Sequence, residues 1–598
     1  TEAMCGICGE LRFDGVQPGN STVTAMMARQ ERRGPDAAGR YADGPVALGH
    51  RRLSIIDLSE RSNQPLVDEQ LGLVLVFNGT IYNYPQLREQ LTARGYRFFT
   101  GGDSEVILKA YAEWGEDCPQ HLHGMFAFAV WDIRRQVLFM ARDRFGIKPL
   151  YYSLDRKRLR FASTSQALLA TGGLDTAIDP VALHHHLTLH AVVPAPRTLL
   201  RGLRKLPPAH SMTVHADGSN RVQRYWQLQP VVPAAGMSEW EWIDAVHEAL
   251  TRAVERRRTI ADVPVGILLS GGLDSSLLVA LLAEAGGGEL HTFSVGFEDQ
   301  PEERGHEFEF SDMVADLYAT KHQRFSIPNS EVLARLPEAV DNMAEPMVGQ
   351  DAVAFYLLGE RVSQAVKVVQ SGQGADEVFA GYFWYPQMHA AAGSDIERFR
   401  DFYFDRSHEE LLETIDPRHH GPDYTSPRVA HGLAQSGAAR FLNRVLSFDA
   451  TTLIVDDPVK RVDNMTMAWG LEARVPFLDH ELVELVIGAP PELKLKSGGK
   501  HMLKAIARDL LPDVVIDRPK GYFPVPALKF VRGEVLDFMR GILDARACRE
   551  RGLFNRAMVE KLLAAPDQHH TPILGSKLWH LALLEFWLQR NVDTISAS

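Results

Sequence analysis

Ser270-Gly271-Gly272-Leu273-Asp274-Ser275 constrains this chain more than any other stretch. It follows Val265-Gly266-Ile267-Leu268-Leu269, an apolar run short enough to be a buried strand, and it precedes Leu277 to Ala285, whose length and composition predict a helix. A strand, a glycine turn and a helix start in that order leave unpaired amides and the positive end of a helix dipole facing one point, where glycine lets an anion approach. A phosphate satisfies that geometry, although an ordinary turn rich in small residues would satisfy the sequence too. The spacing is not G-x-x-x-x-G-K-[ST], so this is no Walker loop holding a transferable γ-phosphate. Further on, apolar runs at Leu290 to Val295 and Val366 to Gln370 bracket a helical stretch, Ala354 to Val362. Such alternation predicts a parallel sheet with helices on both faces and ligands at the carboxyl ends of its strands.

A chain of 598 residues exceeds what one core organises, so two or more domains are expected. Gln227 to Met237, rich in Pro, Val and Ala and without periodicity, predicts a linker. Ser238 then caps a helix in which Trp242, Val246, Ala249, Leu250, Ala253 and Val254 recur at helical spacing. The division expected is 5–226, 227–237 and 238–598. The net charge of −12 argues against a nucleic-acid surface. No early stretch has the form of a secretory signal, and the longest late apolar run, Leu578 to Leu588, is short and holds His580 and Glu585. Small-molecule partners, no membrane and a cytoplasmic location are therefore expected, with a homodimer left open.

Cys5-x-x-Cys8 has no second pair or histidine motif to complete a zinc site, and four cysteines are too few for a disulfide scaffold. Met4-Cys5-Gly6-Ile7 reads instead as a start followed by a nucleophile. Removing everything through Met4 would free an α-amine whose pKa lies near neutrality, so Cys5 would carry both thiol and general base. With Thr1 to Met4 attached, an amide stands where that amine is needed; an added leader and an unprocessed start both account for them. Leu73 to Phe77 is strand-like and ends at Asn78-Gly79, so the Asn78 amide and the Gly79 N–H can project together as donors for an oxyanion. With Arg33-Gly34-Pro35-Asp36, Gly49 to Asp57, Asn78 to Asn83 and Gly101 to Glu105, these residues resemble the glutaminase domain of class II (N-terminal-nucleophile) amidotransferases. The resemblance implies an α+β sandwich of antiparallel sheets and helices, with Cys5 as nucleophile and Asn78 and Gly79 at the oxyanion. It also implies a glutamine pocket of Arg52, Ile56, Asn78, Gly79, Thr80 and Asp103, in which Arg52 meets the α-carboxylate and Asp103 the α-ammonium. Asparagine synthetases usually carry Glu where this chain has Thr80, so one carboxylate for that ammonium is missing.

The Ser270 loop resembles the S-G-G-x-D-S loop of ATP pyrophosphatases, which cleave ATP to AMP and pyrophosphate. His291 to Gly296 resembles the adenine-contacting strand end of that family, and Ser371 to Tyr382 its S-G-E-G-x-D-E loop; Lys460 to Asp463, Met467 to Asp479 and Lys500 to Lys504 also match. The whole chain thus resembles the glutamine-dependent asparagine synthetases, in which an α/β ATP-pyrophosphatase domain with a parallel sheet follows the glutaminase. The resemblance implies that one half releases ammonia and the other adenylates a carboxylate, with ammonia passing through the interior because bulk ammonia at neutral pH is almost all ammonium. ATP and Mg²⁺ are implied. Leu269, Ser270, Gly271, Gly272, Asp274, Ser275, Val295, Ser371 and Gly372 would meet the nucleotide, Asp274 and Asp376 the metal, and Lys500 the α-phosphate, where charge grows.

Acceptor recognition departs from asparagine synthetases. Gln373 stands at the reacting centre where they place Glu, a candidate base, and an amide cannot take a proton. Their His-His-Glu reads His322-Gln323-Arg324 here, and Glu345 to Ala354 lacks the arginine some members carry for aspartate. Met4 to Gly15, His190 to Arg197, Ser371 to Asp376, Asp457 to Met467 and Lys520 to Pro526 resemble the N-acetylglutaminylglutamine amidotransferases, which make a neutral dipeptide amide accumulated under osmotic stress. That acceptor is the expectation; asparagine synthesis from aspartate is the second reading. A degenerate nucleotide-binding or regulatory homologue stays open, as does a cyclase of the β-lactam synthetase kind, against which Cys5 argues. His184-His185-His186 with His190 are expected on a solvated or interface helix rather than at a metal, because adjacent helical residues point apart and no carboxylate is spaced to join them.

Overall fold

The computed structural model describes residues 5–286, 288–299, 304–519 and 525–594. Thr1 to Met4 and most of the motif from Lys520 lie outside the described residues.

The N-terminal part is a sandwich of two six-stranded antiparallel sheets. One runs, in spatial order, Arg204–Lys205, Tyr151–Leu154, Arg158–Ala162, Gly6–Arg12, Val46–Arg52 and Ala37–Asp43; the other runs Asn220–Arg224, His210–His215, Val137–Arg142, Gly124–Asp132, Leu73–Ile81 and Leu66–Asp68. Alternation along the strands fixes which side chains meet. Ile7, Leu11, Leu48 and Phe161 from the first sheet interdigitate with Val74, Val76, Ala129, Trp131 and Met140 from the second. The opposite face of the second sheet, with Leu75, Phe77, Phe126 and Phe128, buries Leu87, Leu91, Val106 and Ile107 from the helices Tyr84–Ala93 and Ser104–Trp114. Cys8 packs on the outer face of the first sheet under Val23 and Met26 of the helix Asn20–Ala28, its thiol 3.7 Å from Gly49 O. It is a core residue.

Residues 227–237 form neither helix nor strand. Helix Glu239–Thr259 then opens on a capping box between Ser238 and Glu241, where Ser238 N donates to Glu241 Oε2 at 2.7 Å. It covers a five-stranded parallel sheet in the order Lys321–Ile327, His291–Phe297, Val265–Leu268, Val368–Gln370, Glu472–Arg474. Successive residues of the central strand feed opposite cores. Ile267 and Leu269 join Val246, Leu250, Leu277 and Leu281, while Leu268 joins Leu358, Val362 and Val369. Burial on both faces is why these strands read as unbroken apolar runs.

The histidine helix, Pro180–Thr188, is not solvated. His184, His185 and His186 are buried, with His184 Nε2 bonded to His419 O at 2.9 Å and His185 Nδ1 to Thr425 Oγ1 at 3.0 Å. Its sequence offers no Lys, Arg, Asp or Glu to face water, so the helix lies between the N-terminal sandwich and the later helical layer. Burial drives the His185 pKa down to about 4 and that of His186 to about 3, so both rings are neutral. The sequence expectation that no carboxylate joins His190 also fails in three dimensions. Asp405 Oδ1 lies 3.4 Å from His190 Nδ1, and Asp405 Oδ2 lies 3.3 Å from His580 Nδ1. Among the described residues no helix is long and apolar enough to cross a membrane.

Candidate active sites

The strand Leu73–Ile81 delivers Asn78, Gly79 and Thr80 to one end of the sandwich, facing Cys5 and the end of the strand Val46–Arg52. Gly79 sits at φ +147°, and a Cβ there would fall 2.0 Å from Met125 O, so only glycine allows the strand to pass. Cys5, Arg52, Ile56, Asn78, Gly79, Thr80 and Asp103 all line one small pocket of about 40 Å³. That volume holds a water-sized species, so glutamine must move side chains on entry. Arg52 is held meanwhile by the Ser59 carbonyl at 2.9 Å and Asn63 Oδ1 at 2.8 Å. Asn78 is fully buried, and neither its Oδ1 nor its Nδ2 has a partner among the described residues. A buried amide left so costs about 1–3 kcal/mol, which a ligand oxygen repays.

Burial pushes the Cys5 thiol up to about 11, with the Leu53 N–H and the Arg52 charge opposing, so the resting side chain is a thiol that needs a base. Burial likewise lifts Asp103 to about 7, against the Ile81 N–H that it accepts at 3.0 Å; the nearby Glu472 charge adds to the rise. Glu472 is the residue sequence reasoning missed here. It comes from the edge strand of the parallel sheet, is buried, lines the Cys5 pocket, and accepts from Thr80 Oγ1 at 3.1 Å and from Arg474 Nε at 2.6 Å. Nothing local in Gly470-Leu471-Glu472 signals a place beside a residue nearly 400 positions away.

The second site lies at the carboxyl ends of the parallel strands, where three loops face a cleft of about 520 Å³. Leu269, Ser270, Gly272, Asp274, Ser275, Val295, Ser371, Gly372, Gln373, Asp376 and Lys500 line it. Gly271 does not; at φ +79° it turns against Phe310 and Ser311. Gly272 caps the helix Leu273–Glu284, so that helix starts at the cleft. Lys500 Nζ reaches Asp274 Oδ2 at 2.6 Å and Asp376 Oδ1 at 2.7 Å. Burial works against the Lys500 charge, but the two carboxylates outweigh it and hold the lysine above its usual pKa. The approach is close because residue 381 is glycine; a Cβ there would lie 2.1 Å from Asp376 Oδ1 and 2.3 Å from Lys500 Cε. Two hard carboxylate oxygens converging beside a helix N-terminus suit Mg²⁺ on a polyphosphate. Ser371 Oγ donates to Gln373 Oε1. Arg461, from a matched stretch given no role by sequence, also lines the cleft, 2.9 Å from Asp351 Oδ1 and bonded to Asp457.

The two sites share a strand. Glu472 faces the cysteine pocket, and two residues on Arg474 O accepts the Ser371 N–H at 2.9 Å, tying the nucleotide-side loop to it. A cysteine pocket in an N-terminal-nucleophile sandwich, joined to a parallel sheet with a pyrophosphatase-type cleft, defines a glutamine-hydrolysing, ATP-dependent amidotransferase. Known proteins agree. The asparagine synthase family profile matches residues 245–589, over half the chain, and the glutamine amidotransferase domain profile matches residues 4–226. The chain is 34% identical over 599 residues to glutamine-hydrolysing asparagine synthetase 1 of Bacillus subtilis, covering 94% of this chain and 92% of that one. It is 30% identical to synthetase 3 of the same organism, with 98% of each covered, and 30% identical to amidase chry2 of Gibberella zeae, with 83% of each covered. The chain belongs to the glutamine-dependent asparagine synthetase family of carbon–nitrogen ligases.

Proposed function

We propose that this enzyme amidates the C-terminal carboxylate of N-acetylglutaminylglutamine, in the cytoplasm, with residues 5–226 as glutaminase, 227–237 as linker and 238–598 as synthetase. Arg52 takes the α-carboxylate of glutamine, while Asp103 and Glu472 share its α-ammonium; Glu472 thereby supplies the carboxylate that Thr80 lacks. The free amine of Cys5 accepts the thiol proton, the thiolate attacks the side-chain amide, and Asn78 Nδ2 with the Gly79 N–H meets the oxyanion. The Cys5 amine returns its proton to the departing ammonia, which passes inward, and water then hydrolyses the γ-glutamyl thioester to release glutamate and the free thiol. In the cleft the acceptor carboxylate attacks the α-phosphorus of ATP and pyrophosphate departs. Lys500 and the amides at the start of the helix Leu273–Glu284 balance the growing charge. Asp274 and Asp376 would hold Mg²⁺, which would supply charge neutralisation on the pyrophosphate. Ammonia then attacks the acyl adenylate and AMP leaves.

The observation that carries the acceptor reading is Gln373. It stands on the cleft wall as a neutral amide, tied to Ser371, where a base or a counter-charge for a free amine would need a carboxylate. N-acetylglutaminylglutamine has amides and no free amine. The names of the Bacillus subtilis relatives favour aspartate as the second reading. With both acids in competition under ATP, Mg²⁺ and ammonium, mass spectrometry should find the dipeptide amide; asparagine as dominant product overturns the proposal.

A further inference from the structure

Beyond the nucleotide cleft lies a second cavity of about 520 Å³. Asp351, Glu377, Tyr382, Pro458 and Arg461 line both spaces and so form their common wall. The volume falls in the range of ~300–1,000 Å³ typical of ligand sites. Tyr382, Trp384, Tyr385, Tyr403 and Trp579 give it aromatic faces. Part of its wall is a helix interrupted by two wide, π-type turns at Asp449–Leu453 and Val455–Val459, a distortion that collects at functional sites.

Two buried polar atoms from residues of this wall, Asp449 Oδ1 and Trp384 Nε1, have no partner among the described residues. The residues are only 3% and 7% exposed, so bulk water does not serve them. A third wall residue, His580, is buried, and its Nδ1 stands 3.3 Å from Asp405 Oδ2. The other Asp449 oxygen accepts from Tyr385 OH. Burial holds Asp449 well above the usual carboxylate range, a shift that favours the protonated form able to donate. Trp384 offers an indole N–H, and burial keeps His580 neutral, with a pKa near 4. Arg461 is already matched by Asp351 and Asp457. Charged groups line the cavity too, Arg461 with Asp351 and Asp457 among them, but the unpaired atoms of the wall belong to Asp449 and Trp384, which offer hydrogen bonds to amides.

Resting on the acceptor reading above, we propose that this cavity holds the body of the acceptor: an uncharged, amide-bearing peptide segment lies against the aromatic wall, its amides paired by Asp449 and Trp384, while its terminal carboxylate passes Tyr382 into the nucleotide cleft. Aspartate has no peptide body to pair with those groups and would leave them unpaired, which is how a site of this kind rejects it.

The test measures pyrophosphate release by the full-length enzyme with ATP, Mg²⁺ and ammonium while the acceptor is varied. Trp384→Phe removes one N–H and Asp449→Leu one O–H. Each should raise the KM for N-acetylglutaminylglutamine about tenfold, equivalent to 1.4 kcal/mol. The KM for ATP, unmoved, reports an intact cleft in the same samples. Asp449→Asn, which restores a neutral donor, should recover most of the loss caused by Asp449→Leu. An unchanged dipeptide KM in both Trp384→Phe and Asp449→Leu overturns the assignment of the cavity. Failure of the acceptor reading looks different, because wild-type enzyme would then release pyrophosphate with aspartate and not with the dipeptide.

Discussion

Replacing Glu472 with glutamine should uncouple the two halves of the reaction. The substitution keeps shape and hydrogen-bonding reach but removes a buried charge that accepts from Thr80 at 3.1 Å and Arg474 at 2.6 Å and stands 4.0 Å from Lys148 Nζ. On the proposed pose the α-ammonium of glutamine loses one of two carboxylates. A hydrogen bond to a charged group contributes about 1.5–3 kcal/mol, so kcat/KM for glutamine should fall about ten- to hundredfold. A second effect follows from Asp103. Burial is the main cause of its pKa of about 7, but the Glu472 charge adds to it, so the variant moves that pKa down. The assay runs glutamate release and amide formation in parallel across pH 6 to 8, with glutamine and with ammonium as nitrogen source. Ammonium-driven synthesis should stay within a few-fold of wild type, because Arg474 O still accepts the Ser371 N–H at 2.9 Å. An unchanged kcat/KM for glutamine, or an equal loss with both nitrogen sources, refutes the reasoning.

Asp103 is neutral below and charged above about pH 7, so kcat/KM for glutamine should climb as pH rises through that value. Asp103→Asn should remove that limb from the profile; a limb that survives belongs to another group. Protein in which Cys5 is the first residue should use glutamine and ammonium alike, whereas protein retaining residues 1 to 4 should use ammonium alone; equal glutamine use by both ends the nucleophile assignment. Asp274→Asn and Asp376→Asn each take a negative ligand from a hard cation, so either should abolish pyrophosphate release and leave glutamine hydrolysis standing. Native-rate release from either variant would remove that residue from the site.

What could be read from the sequence was what is local. Val265 to Ser275 announces strand, glycine turn and helix within eleven consecutive residues, and Ser238 announces a helix start that the structure completes with Glu241. The strand before Asn78-Gly79 was legible, but it runs on through both residues to Ile81 instead of ending there, and the passing Met125 carbonyl requires the glycine. The residues that escaped act through distance along the chain. Glu472 meets Thr80, Arg461 meets Asp351, and Asp405 meets His190 and His580. Each is a single charged residue with no local periodicity or spacing to mark it, and the carboxylate beside Thr80 comes from another sheet. For the histidine helix the sequence left solvent and an interface open, and the interface is what forms, because His184 and His185 bond to His419 O and Thr425 Oγ1 of the layer folded against it.

One short helix, Lys460–Met467, is tied to the N-terminal sandwich and borders the nucleotide cleft. Lys460 bonds Glu345 at 2.5 Å and Asp456 at 2.8 Å, and Lys205, from the N-terminal part, bonds the same two acids at 2.9 and 2.6 Å. Asp463, one turn on, takes Arg33 at 3.1 Å and Lys148 at 3.3 Å, again from the N-terminal part. Between them Arg461 faces both the nucleotide cleft and the second cavity. Buried ion pairs of this kind add little net stability, because desolvation offsets their attraction, yet removing one partner strands a charge at a cost of about 3–5 kcal/mol. The lattice therefore acts as a register between the halves rather than as glue. Arg461 thus sits on the same helical turn as Lys460 and Asp463, so the residue that lines the cleft and those that hold the glutaminase sandwich belong to one local element.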